Sequence, residues 1–253
     1  MKKISDIIYA HDDEGTQRLD LYLPDAEEFY TIVFIHGGGL IEGDKANDKS
    51  HFDYLLSKGY AVVAPNYRMY PQAKYPEYLE DAASSVAWAF SHMGKYGKCK
   101  GIIVGGSSAG GYLSMMLCFD KRWLMPHGIA PTDVKAWLHV AGQPTCHFNY
   151  LKYDKGLDSR RVIIDESAPL YHIGEAKEYS PMLFTVSDND MKNRYEQTML
   201  VLSTLKHFGH EGIAELRLFK GSHCQYHHQV DESGNNILGI AECEFLERIL
   251  KND

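Results

Sequence analysis

The five residues GSSAG at positions 106–110 constrain the fold more than any other stretch of the sequence. They join a short apolar run to a helical pattern that ends near Leu117. A G-x-S-x-G sequence between a strand and a helix is typical of a tight turn. Such a turn strains the backbone of its serine and exposes the hydroxyl above a sheet, while the glycines leave room for neighbouring backbone. Because the pattern also occurs by chance in ordinary turns, the rest of the chain must supply the context.

The order of the predicted strands and helices indicates an α/β fold within one domain, residues 1–253. Two strands, at 4–9 and 17–23, suit an antiparallel hairpin. Beyond them, continuous apolar runs alternate with amphipathic segments, as expected for parallel strands covered on both faces. We therefore predict a mostly parallel central sheet with an N-terminal antiparallel hairpin and helices on both faces. The later strands are predicted at 31–35, 60–64, the start of 100–117, 134–140, 182–186 and 213–219, and the helices at 49–58, 77–92, the second half of 100–117, 193–208 and 237–250.

Residues 145–178 have no strong periodicity and carry several aromatic side chains among charges. A segment of this length between strands usually has a function, such as covering or binding a ligand. We predict that 145–178 is a small cap or substrate-binding insertion. Its aromatic residues, with Leu40 and Ile41, are expected to shape the substrate pocket.

Composition excludes several classes of partner and setting. The 253-residue chain has a formal net charge of −8 and no basic run, which argues against binding nucleic acid or an anionic membrane surface. No apolar stretch is long enough to span a membrane. The five cysteines are scattered and form no C-x-x-C pair, so a reduced, cytoplasmic setting is expected. The oligomeric state cannot be deduced from the sequence.

A histidine and three glycines at 36–39 directly follow a predicted strand. Ligands of such sheets bind beyond the carboxyl ends of the strands, and consecutive glycines let the backbone come close to a substrate. The segment is predicted to be an oxyanion-hole loop. A flexible glycine turn and a phosphate-binding loop are the alternatives. For the second, Lys45 is not at the required spacing and no G-K-[ST] follows.

A serine hydroxyl becomes a good nucleophile only when a base removes its proton. The base is typically a histidine that a carboxylate holds in one tautomer. Ser107 and Ser108 are both candidates for the nucleophile. Only Ser108 has glycine two residues away on each side, so Ser108 is predicted to be the nucleophile.

The remaining members of such a triad are expected in two further strand-end segments. Residues 185–190 end a predicted strand and contain Asp188 and Asp190, and residues 219–224 follow the last strand and contain His223. The chain order serine, aspartate, histidine is the one expected for this topology. We predict His223 as the general base, with the acid supplied by 185–190.

Three histidines, His223, His227 and His228, also suggest a metal site. No H-E-x-x-H pattern is present, however, and Gly221 and Ser222 indicate a loop at the start of this stretch. We therefore predict no metal site, and expect His227 and His228 to be solvated or to line the substrate pocket.

The sequence resembles, over essentially its whole length, the α/β-hydrolase carboxylesterases of the hormone-sensitive-lipase and feruloyl-esterase-like group. Besides the serine turn, the resemblance is carried by the segments 36–45, 66–68 and 75–81. It implies hydrolysis of carboxylic esters, often of short acyl or acetyl groups, without a metal or organic cofactor.

The resemblance also implies residue roles. Ser108 would be the nucleophile and His223 the general base. The backbone N–H groups of Gly38, Gly39 and Ala109 would form the oxyanion hole.

For the acid, the family usually has a glycine where Ser187 stands, with aspartate three residues later, which corresponds to Asp190. Ser187 departs from that pattern, and Asp188 stays open as the alternative. Asp81 is expected to hold the loop around Arg68.

Two other functions remain open beside an esterase for acetylated or feruloylated sugars. The nearest is an amide hydrolase similar to arylformamidases, whose oxyanion loop also has a Gly-x-x-x-Asp-Lys-like stretch. The other is a non-catalytic binding protein on a hydrolase fold. The sequence does not determine the acyl or alcohol group.

Overall fold

The computed structural model of the protein describes residues 2–11 and 15–251, so residues 1, 12–14 and 252–253 of the predicted domain lie outside the described residues. Within them, eight strands form a sheet of order β1-β2-β4-β3-β5-β6-β7-β8. The strands are β1 (Lys2–Ile8), β2 (Arg18–Leu23), β3 (Glu28–Ile35), β4 (Ala61–Pro65), β5 (Lys98–Ser107), β6 (Trp137–Val140), β7 (Met182–Ser187) and β8 (Ala214–Phe219). The helices are α1 (Lys49–Ser57), α2 (Glu77–His92), α3 (Ala109–Phe119), α4 (Phe148–Tyr153), α5 (Arg194–His207), α6 (Gln225–His228) and α7 (Ile237–Ile249).

The pairing of the strands confirms the predicted architecture. β1 and β2 form an antiparallel hairpin, and β2 is also antiparallel to β4. From β4 to β8 the neighbouring strands are parallel. The carboxyl ends of β3, β5, β7 and β8 consequently lie at the same edge of the sheet.

Alternation along β3 explains why helices cover both faces. Val33 and Ile35 belong to one buried cluster, which includes residues of α2, α3 and α5. Ile32 and Phe34 belong to a second cluster, which includes residues of α1 and α7. Because successive side chains of a strand point to opposite faces, a continuous apolar run can only be buried between two layers of helices.

Two helices were not predicted from the sequence. The segment 145–178 contains α4, and α6 follows His223. They have only six and four residues, too few turns for an apolar period of 3.6 residues to stand out. β6 begins at Trp137, later than the strand predicted at 134–140.

The serine turn packs directly against the end of β3. A Cβ atom on Gly110 would lie 1.9 Å from the carbonyl oxygen of Ile35, and one on Gly106 would lie 2.6 Å from the same oxygen. Ser108, between β5 and α3, has φ of 54°. A non-glycine residue rarely adopts this conformation, so the close approach of the two backbones maintains the strain.

Among the described residues, no helix has both the length and the apolar character needed to cross a membrane.

Replacing Gly110 by alanine should destabilise the fold by about 3 kcal/mol or more, because the added methyl group meets backbone that cannot move aside. The free energy of unfolding from urea titration checks this. The matched control is Gly94→Ala at an exposed position, where an added Cβ has no atom within 4 Å. That change should be neutral or slightly stabilising. Equal effects of the two substitutions would contradict the packing argument.

Candidate active site

Ser108, His223 and Asp190 form a continuous hydrogen-bonded chain at the carboxyl edge of the sheet. The Ser108 Oγ to His223 Nε2 distance is 2.8 Å, and the His223 Nδ1 to Asp190 Oδ1 distance is 2.5 Å. The three residues follow β5, β8 and β7 respectively. Parallel strands bring these distant parts of the sequence together because their carboxyl ends share one edge.

The environment of Asp190 favours a carboxylate oriented towards His223. Its side chain is fully buried, and its oxygens accept hydrogen bonds from the backbone N–H groups of Met191 at 2.7 Å and Ser187 at 3.3 Å. Burial opposes ionisation, but the hydrogen bond and charge of His223 and these N–H donors outweigh it, so the pKa of Asp190 lies below its ordinary value.

Asp188, the alternative acid, has a different position. Its Oδ1 accepts a hydrogen bond from the backbone N–H of Gly221 at 2.9 Å. Its own N–H donates to the carbonyl of Phe219 at 2.8 Å. Asp188 therefore ties the turn after β7 to the turn that carries His223, and the carboxylate hydrogen-bonded to the imidazole is that of Asp190.

The predicted oxyanion loop lies against the serine turn. A Cβ on Gly37 would be 3.2 Å from Ser108 Cβ. Gly38 and Gly39 have φ of 109° and 65°, values that suit glycine. Within the described part of the chain, no hydrogen bond is donated by the N–H groups of Gly38 or Gly39. The N–H of Ala109 begins α3 and has no partner inside the helix.

Asn149 of α4 holds the oxyanion loop from the other side. Its Nδ2 donates to the carbonyl of Gly39 at 2.6 Å. The segment predicted to be an insertion thus contacts the glycines directly. This contact could not be predicted from local pattern, because Gly39 and Asn149 are far apart in the chain.

The residues that follow the glycines anchor the loop to the hairpin. A Cβ on Gly43 would lie 2.4 Å from His36 Nδ1, and the His36 ring stacks on Tyr67 at 4.5 Å. Lys45 Nζ forms an ion pair with Asp20 Oδ1 at 2.7 Å. His36 and Lys45 therefore have structural contacts that explain the extended motif without a catalytic role for either side chain.

The predicted contact between Asp81 and Arg68 is present. Two guanidinium nitrogens of Arg68 donate to the two carboxylate oxygens of Asp81, at 2.7 and 2.9 Å. The bidentate geometry fixes the loop after β4, from which Tyr67 reaches His36.

A pocket of about 560 Å³ opens in front of Ser108. Ile41 lines it as predicted, but Leu40 does not: its side chain is fully buried in the core. Of the aromatic residues expected from 145–178, only Phe148 belongs to this lining. The other lining residues are Gly37, Gly38, Gly39, Glu42, Gly43, Asn47, Asp48, Ser107, Asn149, Met191, His223, Cys224, His227 and His228.

The structure corrects the expectation for His227 and His228 in part. Both line the pocket, as predicted, but His227 is buried whereas His228 is exposed. They group with Asp48, not with His223: one donor atom from each lies within 4.8 Å of the others. Asp48 precedes α1 and is remote from the histidines in the chain, so no local pattern links it to them.

Two side chains near the candidate triad, those of Cys224 and Arg194, were not expected there from the sequence. The thiol of Cys224 lies 3.6 Å from His223 Nε2. The buried guanidinium of Arg194 donates to the carbonyl of Ala141 at 2.5 Å, and this hydrogen bond orders the chain after β6.

Ser187, which stands where the family usually has glycine, donates through Oγ to the carbonyl of Ser222 at 2.8 Å. It thereby supports the turn that precedes His223.

Comparison with known proteins shows that part of the chain is similar to carboxylesterases. The family model described as BD-FAE matches residues 19–125. The chain is 32% identical over 101 residues to "Esterase LipI" of Mycobacterium tuberculosis, an alignment that covers 39% of this chain and 32% of LipI. It is 34% identical over 110 residues to "Carboxylic ester hydrolase LipN" of the same organism, covering 42% of this chain and 29% of LipN. The chain thus spans about a third of the length of these curated relatives.

Solved structures are similar over nearly the whole chain. Esterase B from Lactobacillus rhamnosis has a TM-score of 0.81 at 17% identity, covering 99% of this chain and 86% of that one. A propionate-bound structure of a thermophilic esterase, Est2 from Thermogutta terrifontis, has a TM-score of 0.74 at 23% identity, covering 96% and 93%. The chain has the α/β-hydrolase fold, and its sequence resemblance to carboxylesterases is confirmed over the matched part of the chain.

The matched family segment includes the oxyanion loop and the serine turn but ends before Asp190 and His223. The roles of these two residues therefore rest on geometry.

A fluorophosphonate should label Ser108 and leave Ser107 unmodified, because only the Ser108 hydroxyl contacts His223. Peptide mass spectrometry of the treated protein identifies the modified residue. Labelling should be absent in Ser108→Ala and persist in Ser107→Ala. A phosphonate adduct on Ser107, or loss of labelling only in Ser107→Ala, would contradict the assignment.

Proposed function

We propose that the protein is a serine carboxylesterase that cleaves esters of small acyl groups, with Ser108 as nucleophile, His223 as general base and Asp190 as the acid that orients it. The observation that carries the proposal is the hydrogen-bonded chain from the Ser108 hydroxyl through His223 to the Asp190 carboxylate, at 2.8 and 2.5 Å. In this arrangement the hydroxyl can lose its proton as it attacks.

In the first half of the reaction, Ser108 Oγ attacks the ester carbonyl carbon while its proton passes to His223 Nε2. The carbonyl oxygen becomes an oxyanion, which the N–H groups of Gly38, Gly39 and Ala109 are proposed to stabilise. One such donor typically contributes about 3 kcal/mol to lowering the barrier. The carbon–oxygen bond to the alcohol then breaks, and the alcohol leaves with the proton from His223. The acyl group stays on Ser108 Oγ as an acyl-enzyme.

The second half repeats these steps with water. His223 Nε2 takes a proton from a water molecule that attacks the acyl carbonyl. The second tetrahedral intermediate expels Ser108 Oγ, which regains its proton from His223, and the carboxylic acid is released. Asp190 stays ionised and holds the imidazole in one tautomer, in agreement with the direction of its pKa.

The composition of the pocket supports a small acyl group on a polar alcohol. Ile41, Phe148 and Met191 contribute apolar surface suited to a short acyl chain. Asn47 and His228 contribute polar groups suited to a hydroxylated alcohol, such as the sugar part of an acetylated or feruloylated saccharide. The names of the curated relatives, an esterase and a carboxylic ester hydrolase, support the reaction class.

We further propose a single domain over residues 1–253, with 145–178 as the segment that helps to form the pocket. Its support is that Phe148 and Asn149 of α4 both line the pocket. The cytoplasmic setting remains a prediction, supported by five cysteines that are all unpaired. We expect no nucleic-acid partner, because the net charge is −8.

Nitrophenyl acetate and butyrate should be hydrolysed faster than long-chain nitrophenyl esters, and N-formylkynurenine should be turned over poorly. The preference among esters follows because the pocket suits a short acyl chain, and the formamide is disfavoured because an amine is a poorer leaving group than an alcohol. Comparison of kcat/KM across this panel checks the proposal, with Ser108→Ala as the blank. Turnover of the formamide alone would identify an arylformamidase. If protein that the fluorophosphonate labels turned over none of the substrates, a binding function would be favoured.

Asp190→Asn should lower kcat for nitrophenyl acetate roughly 10³- to 10⁴-fold, because an amide stabilises the wrong tautomer of His223. The matched control is Asp188→Asn, two residues away. It should retain most of the activity, because Asp188 bonds to backbone and not to the imidazole. A larger loss in Asp188→Asn than in Asp190→Asn would reverse the assignment of the acid.

A further inference from the structure

Asp48, His227 and His228 form a cluster in the pocket wall that the proposed mechanism does not use. All three line the pocket in front of Ser108, and one donor atom from each lies within 4.8 Å of the others. Asp48 directly precedes α1, and the two histidines end α6. The fold brings these two segments together at the same edge of the sheet as the candidate triad.

Two members of the cluster face each other without normal hydrogen bonds. His227 Nε2 is buried and has no hydrogen-bond partner among the residues that the structure describes, and it lies 3.5 Å from Asp48 Oδ1. Asp48 occupies the N-cap position of α1, but its side chain makes no capping hydrogen bond, although aspartate commonly does so there. Buried polar atoms are rarely left unpaired, so His227 Nε2 calls for a partner, and Asp48 Oδ1 lies beside it as a second possible ligand.

A metal ion satisfies both atoms at once. Zinc binds histidine nitrogen and carboxylate oxygen at about 2.0–2.2 Å, and two donors on a tetrahedral ion are then about 3.3–3.4 Å apart. The 3.5 Å between His227 Nε2 and Asp48 Oδ1 is close to that separation. Two imidazoles and one carboxylate suit a transition metal, whereas magnesium and calcium prefer oxygen ligands alone.

The surrounding residues hold His227 in place. The ring of His51 packs edge-on against it at 5.1 Å, and His51 is itself held by Glu242 at 2.5 Å. Asn236 donates to the His227 carbonyl at 2.8 Å.

We propose that Asp48, His227 and His228 bind one divalent transition-metal ion, such as Zn²⁺, in the wall of the pocket. Three protein ligands leave one tetrahedral position for water or for an oxygen atom of a bound molecule. His228 is the exposed ligand, which provides a route for the ion to enter. The proposal is independent of the role of Ser108, so either can fail without the other.

Isothermal titration of the chelator-treated full-length protein with zinc chloride tests the site. The wild type and Ser108→Ala should each bind one equivalent. Asp48→Asn and His228→Gln should each bind about 100-fold more weakly or worse, because even residues that only support a metal ligand cost 10- to 100-fold when removed. His127→Gln is the matched control, since His127 is exposed and lies in the turn at 125–127, outside the cluster.

The triad supplies the competing site, because His223 and Asp190 could also attract zinc. His223→Gln should therefore leave the one-site titration unchanged. Loss of binding in His223→Gln, or equal binding in the wild type, Asp48→Asn and His228→Gln, would overturn the proposal, as would the absence of saturable binding to the wild type. Circular dichroism melts confirm that each variant is folded, and anomalous diffraction at the zinc edge locates the ion.

Discussion

The contact between Gly110 and the end of β3 is the constraint on which the rest of the site depends. No side chain fits between Gly110 and the carbonyl of Ile35, so α3 begins immediately beside that strand. The chain must turn within one residue, and Ser108 takes up the strain with φ of 54°. The residue after Ile35 is His36, so the glycine loop starts where the serine turn is closest. One close approach of two backbones therefore sets the positions of both the candidate nucleophile and the loop that faces it.

Strained backbone is concentrated at this edge of the sheet. Leu40, Ala141 and Cys224 have positive φ values, as Ser108 does, and they follow β3, β6 and β8 respectively. Conformations of this kind persist only where surrounding structure over-determines them. Here Arg194 holds the carbonyl of Ala141, and Leu40 is locked by complete burial in the core. The parallel strands and their helices thus form a rigid support, and the turns beyond them carry the strain.

Polar contacts link the loops of the pocket to the N-terminal hairpin and to α4. The ion pair of Lys45 with Asp20 joins the oxyanion loop to β2, and Asn149 joins the same loop to α4. Asp20 is buried, so its charge is compensated within the protein. The hairpin, which β4 and β3 separate from β5 in the sheet, consequently contributes to the shape of the pocket without lining it.

The sequence by itself determined what depends on local pattern. Apolar runs and amphipathic periods predicted the order of strands and helices, and glycine spacing predicted the turn at Ser108, because these features follow from steric limits on a few neighbouring residues. Only the tertiary structure decided what depends on distance through space. It brought His223 to Asp190. It buried Leu40, which the sequence predicted to be in the pocket. It also placed Asp48 beside His227 and His228, two histidines whose spacing suggested a group with His223. Short helices such as α4 and α6 were also beyond prediction, because packing against the sheet, and not their own periodicity, maintains them.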